Sequence, residues 1–126
     1  MRRILAIDDE PSVTRMIKLN LEKTGVYEVQ TANQPKSALA VAKKFQPDLI
    51  LLDVIMPDMD GGDVEAQMRS DPGLRNVPIV YLTAIVSKQE AETKRLASGG
   101  NRFLAKPVSL KELLRCIRET LDGAAD

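Results

Sequence analysis

Residues 49–62 read LILLDVIMPDMDGG, in which four aliphatic residues are followed by Asp53 and then by a loop rich in proline and glycine. An uninterrupted aliphatic run of this length predicts a strand that is buried on both faces, as in the middle of a parallel sheet. The strand should end where polarity returns, which places Asp53 at its carboxyl end. Open α/β sheets bind their ligands at that edge. Taken alone, Asp53 could equally be a turn former or a helix cap.

The segments on both sides of this stretch alternate between strand and helix patterns. The predicted strands cover residues 4–7, 27–32, 49–52, 77–82 and 102–105, and the predicted helices cover residues 11–24, 38–45, 63–68, 87–98 and 110–121. Five strands alternating with five helices predict right-handed crossovers and one parallel sheet that is covered on both faces. By analogy with flavodoxin-like, doubly wound α/β folds, we expect the strand order 2-1-3-4-5.

The composition indicates one domain without a strong overall charge. The 126 residues fit a single domain, residues 1–126, with a loose tail from about residue 122. The 18 Lys and Arg residues balance 18 Asp and Glu residues, so direct binding of nucleic acid is not expected. No apolar run approaches the roughly 20 residues of a membrane helix, and the single cysteine, Cys116, forms no internal disulfide. We therefore expect a cytoplasmic protein that does not bind membranes and in which Cys116 has a packing role.

Four of the five predicted strands are followed by a candidate polar group. These groups are Asp8 and Asp9 after the first strand, Asp53 after the third, Thr83 after the fourth and Lys106 after the fifth. Parallel strands place their carboxyl ends on one edge, about 4.8 Å apart, so we expect these side chains to converge. Individually, Asp8 and Asp9 could cap the first helix, and Lys106 could be an ordinary surface lysine. Capping alone does not explain their arrival at successive strand ends.

The converging carboxylates require either a cation or protonation. Each pair of carboxylates at about 4 Å would repel by about 4 kcal/mol at an effective dielectric constant near 20. The chain contains no histidine, and oxygen ligands alone favour Mg²⁺ or Mn²⁺ over Zn²⁺. A carboxylate beside such a cation can attack phosphorus, and Thr83 and Lys106 would contact the same phosphoryl group. The pattern predicts a phosphoryl-transfer site with Asp53 as the acceptor.

Four motifs carry a resemblance to a known family: ILAIDDEP at residues 4–11, LDVIMPDMDG at 52–61, LTA at 82–84 and FLAKP at 103–107. In this order they resemble the receiver domains of bacterial two-component response regulators, and the resemblance covers essentially the whole chain. The resemblance implies that Asp53 is the phosphoacceptor and that Thr83 and Lys106 bind the phosphoryl group. The implied ligands of Mg²⁺ are Asp8, Asp9, Asp53 and the main-chain carbonyl of Ile55.

The resemblance also implies partners. In this family a phosphohistidine on a sensor histidine kinase or a histidine phosphotransfer protein donates the phosphoryl group. Such receivers catalyse their own phosphorylation and often hydrolyse the product, so we expect a switch rather than an enzyme. An output partner or output domain would contact the surface formed by the fourth helix, fifth strand and fifth helix, and phosphorylation would favour a homodimer.

Phe103 stands at the position of the family's switch aromatic, and a plain core aromatic is the alternative interpretation. In the family, Thr83 moves toward the phosphoryl group and the aromatic turns inward. The helix predicted at residues 87–98 has a thin apolar stripe, which suits an element with two arrangements. Ile55 and Ile85 are bulky and apolar where polar residues are common in the family. We hypothesise that they screen the phosphoryl group from water and lengthen its lifetime.

Three other functions compete with this interpretation. A phosphatase of the haloacid dehalogenase type would need a second Asp two residues after the nucleophile, where Ile55 stands. A dinucleotide-binding protein would need a glycine-rich phosphate loop after the first strand, whereas the acidic residues 8–10 would repel phosphate. The strongest alternative is a receiver-like interaction module that works without phosphorylation.

Overall fold

The computed structural model describes residues 1–54, 61–83, 102–105 and 109–122. These residues form the strands β1 (Arg2–Ile7), β2 (Tyr27–Ala32), β3 (Leu49–Asp53), β4 (Ile79–Thr83) and β5 (Arg102–Ala105). They also form the helices α1 (Pro11–Glu22), α2 (Pro35–Phe45), α3 (Gly61–Ser70) and α4 (Leu110–Leu121). The helix predicted at residues 87–98 lies outside the described residues, so α4 corresponds to the fifth predicted helix.

The five strands form one parallel sheet in the order β2-β1-β3-β4-β5, which confirms the predicted topology. β3 occupies the centre of this sheet. Ile7 of β1 is paired with Leu52 of β3, and Asp53 of β3 is paired with Leu82 of β4. This register brings the carboxyl ends of the three central strands level with one another at one edge.

The central strand is buried on both faces, as its aliphatic run predicted: the residues of 49–52 have 0% exposure. Full burial of each such side chain stabilises the fold by about 1.5–3 kcal/mol. One face of the sheet packs against α2 and α3 through Leu5, Ile7, Ile50 and Leu52. The opposite face packs against α1 and α4 through Ile4, Ala6, Leu49 and Leu51. Cys116 of α4 is buried in this second cluster, in agreement with its predicted packing role.

Two prolines explain two of the differences between the observed and the predicted boundaries. β4 begins at Ile79 rather than at residue 77 because Pro78 has no N–H to donate to a neighbouring strand. α2 begins at Pro35 rather than at residue 38, since proline is well suited to the first turn of a helix. The C-cap of the same helix is Gln46, which has a left-handed backbone with φ of 55° and donates its amide to the Ala42 carbonyl at 2.8 Å.

Both ends of α4 are capped. Ser109 Oγ accepts a hydrogen bond from the Glu112 amide at 3.1 Å, which confirms the capping box that starts the helix. At the other end, the Asp122 amide donates to the Arg118 carbonyl at 2.8 Å. Asp122 therefore closes the helix, and residues 123–126 of the predicted loose tail lie outside the described residues. Among the described residues, no helix combines the length and the apolar character needed to cross a membrane.

Candidate functional site

Two buried carboxylates lie at the carboxyl ends of adjacent central strands. Asp53 is the last residue of β3 and is 5% exposed, and Asp8 directly follows β1 with 0% exposure. Ile7 and Leu52, the residues before them, are paired, so Asp8 and Asp53 are neighbours at the carboxyl edge. Acidic side chains are almost never fully buried without compensation, and this edge is where open α/β sheets bind ligands.

The adjacent strand brings a third predicted site residue to the same edge. Thr83 is the last residue of β4 and is paired with Ala105, the last residue of β5. Lys106 follows Ala105 directly in the sequence, but it lies outside the described residues, as do Ile55 and Ile85. The roles assigned to these side chains therefore stay predictions.

The loop between β1 and α1 carries an acidic cluster that can hold a divalent cation. One carboxylate oxygen each from Asp8, Asp9 and Glu10 lies within 4.8 Å of the other two. Asp8 is buried, Asp9 is half-buried and Glu10 is exposed, so the cluster opens from the core towards solvent. An all-oxygen donor set of this kind suits a hard divalent cation. Glu10 was missed as a member of the cluster, although the run of three acidic residues before Pro11 signals it.

The local hydrogen bonds argue against a capping role for these carboxylates. The N-cap of α1 is Glu10, whose side chain makes no capping hydrogen bond. Asp8 Oδ1 instead accepts a hydrogen bond from the Glu10 amide at 3.0 Å, upstream of the first helical residue. The Asp8 amide donates to the Ala32 carbonyl of β2 at 3.1 Å. The alternative in which Asp8 and Asp9 cap the first helix is therefore wrong.

Two residues that the sequence did not single out contact this loop. The side-chain amide of Asn33, directly after β2, donates to the main-chain carbonyl of Asp8 at 2.9 Å and to Thr14 Oγ1 at 2.8 Å. Thr14 is 2% exposed, and its hydroxyl donates to the carbonyl of Pro11 at 3.2 Å. Neither residue type has a pattern that reveals such a contact, because Asn33 and Thr14 are 19 positions apart in the chain.

The predicted switch aromatic stacks on another aromatic ring. Phe103 of β5 is half-buried, and its ring centroid lies 5.0 Å from that of Tyr81 of β4, with an interplanar angle of 21°. The Tyr81 hydroxyl donates to Glu65 Oε1 on α3. Glu65 Oε2 is also 3.7 Å from Arg69 Nε, one turn further along the helix. The position of Phe103 is thus connected through Tyr81 to α3.

Comparison with known proteins identifies a family match over most of the chain. The profile described as "Response regulator receiver domain" matches residues 4–118. The DNA-binding dual master transcriptional regulator RpaA of Synechocystis is 37% identical over 121 residues, which cover 96% of this chain and 49% of that protein. The response regulator PleD of Caulobacter vibrioides is 41% identical over 106 residues, which cover 84% of this chain and 23% of that protein. The chain therefore spans half or less of the length of these two relatives.

Solved structures show the same fold at similar sequence distance. The chemotaxis response regulator CheY4 of Vibrio cholerae superposes with a TM-score of 0.84 at 34% identity, covering 96% of this chain and 99% of that chain. A two-component response regulator from Clostridium difficile superposes with a TM-score of 0.83 at 28% identity and covers 100% of both chains.

Proposed function

Because the chain belongs to the family of response regulator receiver domains, we propose that it is a phosphorylation-dependent switch of a two-component system. Asp53 is the phosphoacceptor in this proposal. The donor is a phosphohistidine on a sensor histidine kinase or a histidine phosphotransfer protein. The observation that carries the proposal is the pair of buried carboxylates, Asp8 and Asp53, at the carboxyl edge of two adjacent central strands.

The transfer itself needs no separate base, because an ionised aspartate is already a nucleophile. One carboxylate oxygen of Asp53 forms a bond to phosphorus while the bond between phosphorus and the donor's imidazole nitrogen breaks. The nitrogen keeps the electron pair and is then protonated. The Thr83 hydroxyl donates to a phosphoryl oxygen, and the Lys106 ammonium contributes a positive charge at the same group.

The acidic edge supplies the ligands for a cation. Asp8 and Asp9, together with Asp53 and the main-chain carbonyl of Ile55, would hold Mg²⁺, with Mn²⁺ as a substitute. The close approach of the carboxylates at residues 8–10, within 4.8 Å, supports this choice because like charges repel unless a cation lies near them. When bound, the cation neutralises negative charge on the transferring oxygens.

The output of the switch is a change in the surface around Phe103. Phosphorylation draws Thr83 towards the phosphoryl group and changes the position of the Phe103 ring, which reshapes the surface of β5, α4 and the helix predicted at residues 87–98. An output partner or output domain binds there, and a homodimer forms on phosphorylation. The chain works as one domain over residues 1–126 in the cytoplasm, and it catalyses its own phosphorylation and dephosphorylation.

Phosphorylation with small donors tests the proposal directly. The protein is incubated with Mg²⁺ and either acetyl phosphate or phosphoramidate, whose P–N bond imitates phosphohistidine, and its intact mass is measured. We expect one phosphoryl group on the unaltered protein and none on Asp53→Asn. Asp48→Asn is the matched control, since Asp48 lies at the opposite end of β3, where it accepts a hydrogen bond from the Arg3 amide at 2.7 Å. This variant should be phosphorylated like the parent.

The main alternative predicts a different result in the same experiment. A receiver-like interaction module that works without phosphorylation would show no mass gain with either donor. Beryllofluoride, which imitates the phosphoryl group, would then leave the amide spectrum unchanged. That combination of results would replace the phosphorylation proposal with the interaction module.

The proposed lifetime effect of Ile55 and Ile85 needs its own measurement. These apolar side chains would limit the access of water to the phosphoryl group. The double variant Ile55→Asn with Ile85→Glu should therefore lose phosphate faster than the parent. Equal rates of phosphate loss, measured after removal of the donor, would show that the two residues do not set the lifetime.

A further inference from the structure

Asn33 and Thr14 connect the start of the loop that carries the acidic cluster to the first turn of α1. Asn33 follows β2, and its amide group donates to the carbonyl of Asp8, where the loop begins, and to Thr14 Oγ1 in the first turns of α1. Thr14 in turn donates to the carbonyl of Pro11, where the loop ends. The two N–H groups of one carboxamide thus connect three elements: β2, the loop and α1.

The bonding pattern matches what each group can do. A side-chain amide has two N–H donors, and Asn33 directs one to the loop at Asp8 and the other to Thr14 of α1. A threonine hydroxyl can accept and donate at once, and Thr14 accepts from Asn33 while it donates to Pro11. Thr14 is 2% exposed, so its hydroxyl depends on protein partners rather than on bulk water.

The surroundings of Asn33 indicate that these bonds serve the loop rather than the helix that follows. The N-cap of α2 is Gln34, and its side chain makes no capping hydrogen bond. Asn33, one residue earlier, turns towards α1 instead. Its bond to the Asp8 carbonyl restrains the peptide that joins Asp8 to Asp9, and this restraint limits where the two carboxylates can point.

From this geometry we propose that Asn33 and Thr14 are positioning residues for the cation site. The inference rests on the proposed function, because it assumes that the acidic loop binds Mg²⁺. The three carboxylates of residues 8–10 lie within 4.8 Å of one another and repel when no cation lies between them. The hydrogen bonds of Asn33 and Thr14 hold the loop against that repulsion, so the ligands are already assembled when the cation arrives.

Mg²⁺ affinity, measured by amide chemical-shift titration of the whole chain, tests this role separately from stability. Asn33→Ala and Thr14→Val each remove one part of the bonding pattern, and each should weaken Mg²⁺ binding about 10-fold, as is usual for residues that support metal ligands. Thr14→Ser keeps the hydroxyl and should bind Mg²⁺ within about 2-fold of the parent.

Ser37→Ala is the matched control. Ser37 Oγ donates to the Gln34 carbonyl at 2.9 Å, so this variant loses a similar side-chain hydrogen bond at the start of α2 without contact to the acidic loop. Its Mg²⁺ affinity should equal that of the parent. Thermal unfolding without Mg²⁺ reports any general loss of stability. If Asn33→Ala fails to fold, the comparison of Mg²⁺ affinity between Thr14→Val and Thr14→Ser still tests the positioning role.

The outcomes separate this inference from the proposed function. Equal Mg²⁺ affinity in the parent, Asn33→Ala and Thr14→Val would overturn the positioning role and leave the cation site intact. Weak binding by Thr14→Ser as well as Thr14→Val would show that shape rather than the hydroxyl matters, and would also overturn it. A parent protein that does not bind Mg²⁺ would overturn both proposals.

Discussion

Removal of the Tyr81 hydroxyl should destabilise the domain by about 1.5 kcal/mol. This hydroxyl donates to Glu65 Oε1 and so connects β4 to α3. Tyr81→Phe deletes that hydrogen bond but keeps the ring, which stacks on Phe103 at a centroid distance of 5.0 Å. The aromatic contact and the buried apolar area of the residue are therefore preserved, and the variant removes the hydroxyl alone.

The magnitude follows from the charge and exposure of the acceptor. Hydrogen bonds to charged groups contribute about 1.5–3 kcal/mol to stability. The Glu65 side chain is 19% exposed and also lies 3.7 Å from Arg69 Nε, so water and Arg69 offset part of the loss. This places the expected change at the lower end of the range. For a domain of this size it corresponds to a fall in Tm of about 6 °C.

Urea unfolding at neutral pH and thermal unfolding, both followed by circular dichroism, measure the change. Tyr27→Phe is the control, since Tyr27 is the other of the two tyrosines and its hydroxyl makes no hydrogen bond to the described residues. It should change the free energy of unfolding by less than about 0.5 kcal/mol. A double-mutant cycle of Tyr81→Phe with Glu65→Gln then isolates the coupling between the two side chains. The reasoning is refuted if Tyr81→Phe costs no more than Tyr27→Phe.

Three further predictions concern helix ends and pH. Gln46→Gly should raise the free energy of unfolding by about 0.5 kcal/mol, because glycine adopts the left-handed backbone of this position without steric cost; a lower urea midpoint would contradict it. Ser109→Ala should lower the free energy of unfolding by about 1 kcal/mol through loss of the α4 cap, whereas Ser109→Asp should keep most of the stability of the parent. The pKa of Glu22 is lowered, mainly by the hydrogen bond from the Val29 amide and then by Lys18. Glu22→Gln should therefore be less stable than the parent at neutral pH, by no more than about 0.5 kcal/mol at this exposed site. The difference should shrink as the pH falls below the usual value of 4.5 and vanish below the lowered pKa; a difference that persists in acid would exclude this origin.

The sequence predicts the sheet well because the signals for its central strands are local. The aliphatic run of 49–52 requires burial on both faces, and the structure shows 0% exposure for those residues. The strand order has no such local signal and came from analogy with known doubly wound sheets. Boundaries such as the start of β4 at Ile79 depend on single residues, here Pro78, whose effect is visible only once the neighbouring strands are known.

In the candidate site, too, some residues could be predicted from the sequence and others could not. Asp8 and Asp53 could be predicted, because the carboxyl end of each parallel strand is fixed by the hydrophobic pattern. The contacts of Asn33 with Asp8 and Thr14 could not, since they join side chains from separate elements at distances that only the packed structure sets. Glu10 lies between these cases: its position was visible in the acidic run, but its approach to the other carboxylates depends on the turn that follows β1.

The central place of β3 also determines how the domain can respond to a charge added at its end. Asp53 closes a strand that is paired on both sides and has no residue more than 5% exposed. Amides in such a strand exchange with deuterium chiefly when the whole domain opens, so β3 should be among the slowest segments in hydrogen exchange. In the proposed switch, the strand that carries Asp53 would therefore stay rigid. A phosphoryl group added at its end would alter the surroundings of the strand rather than the strand itself.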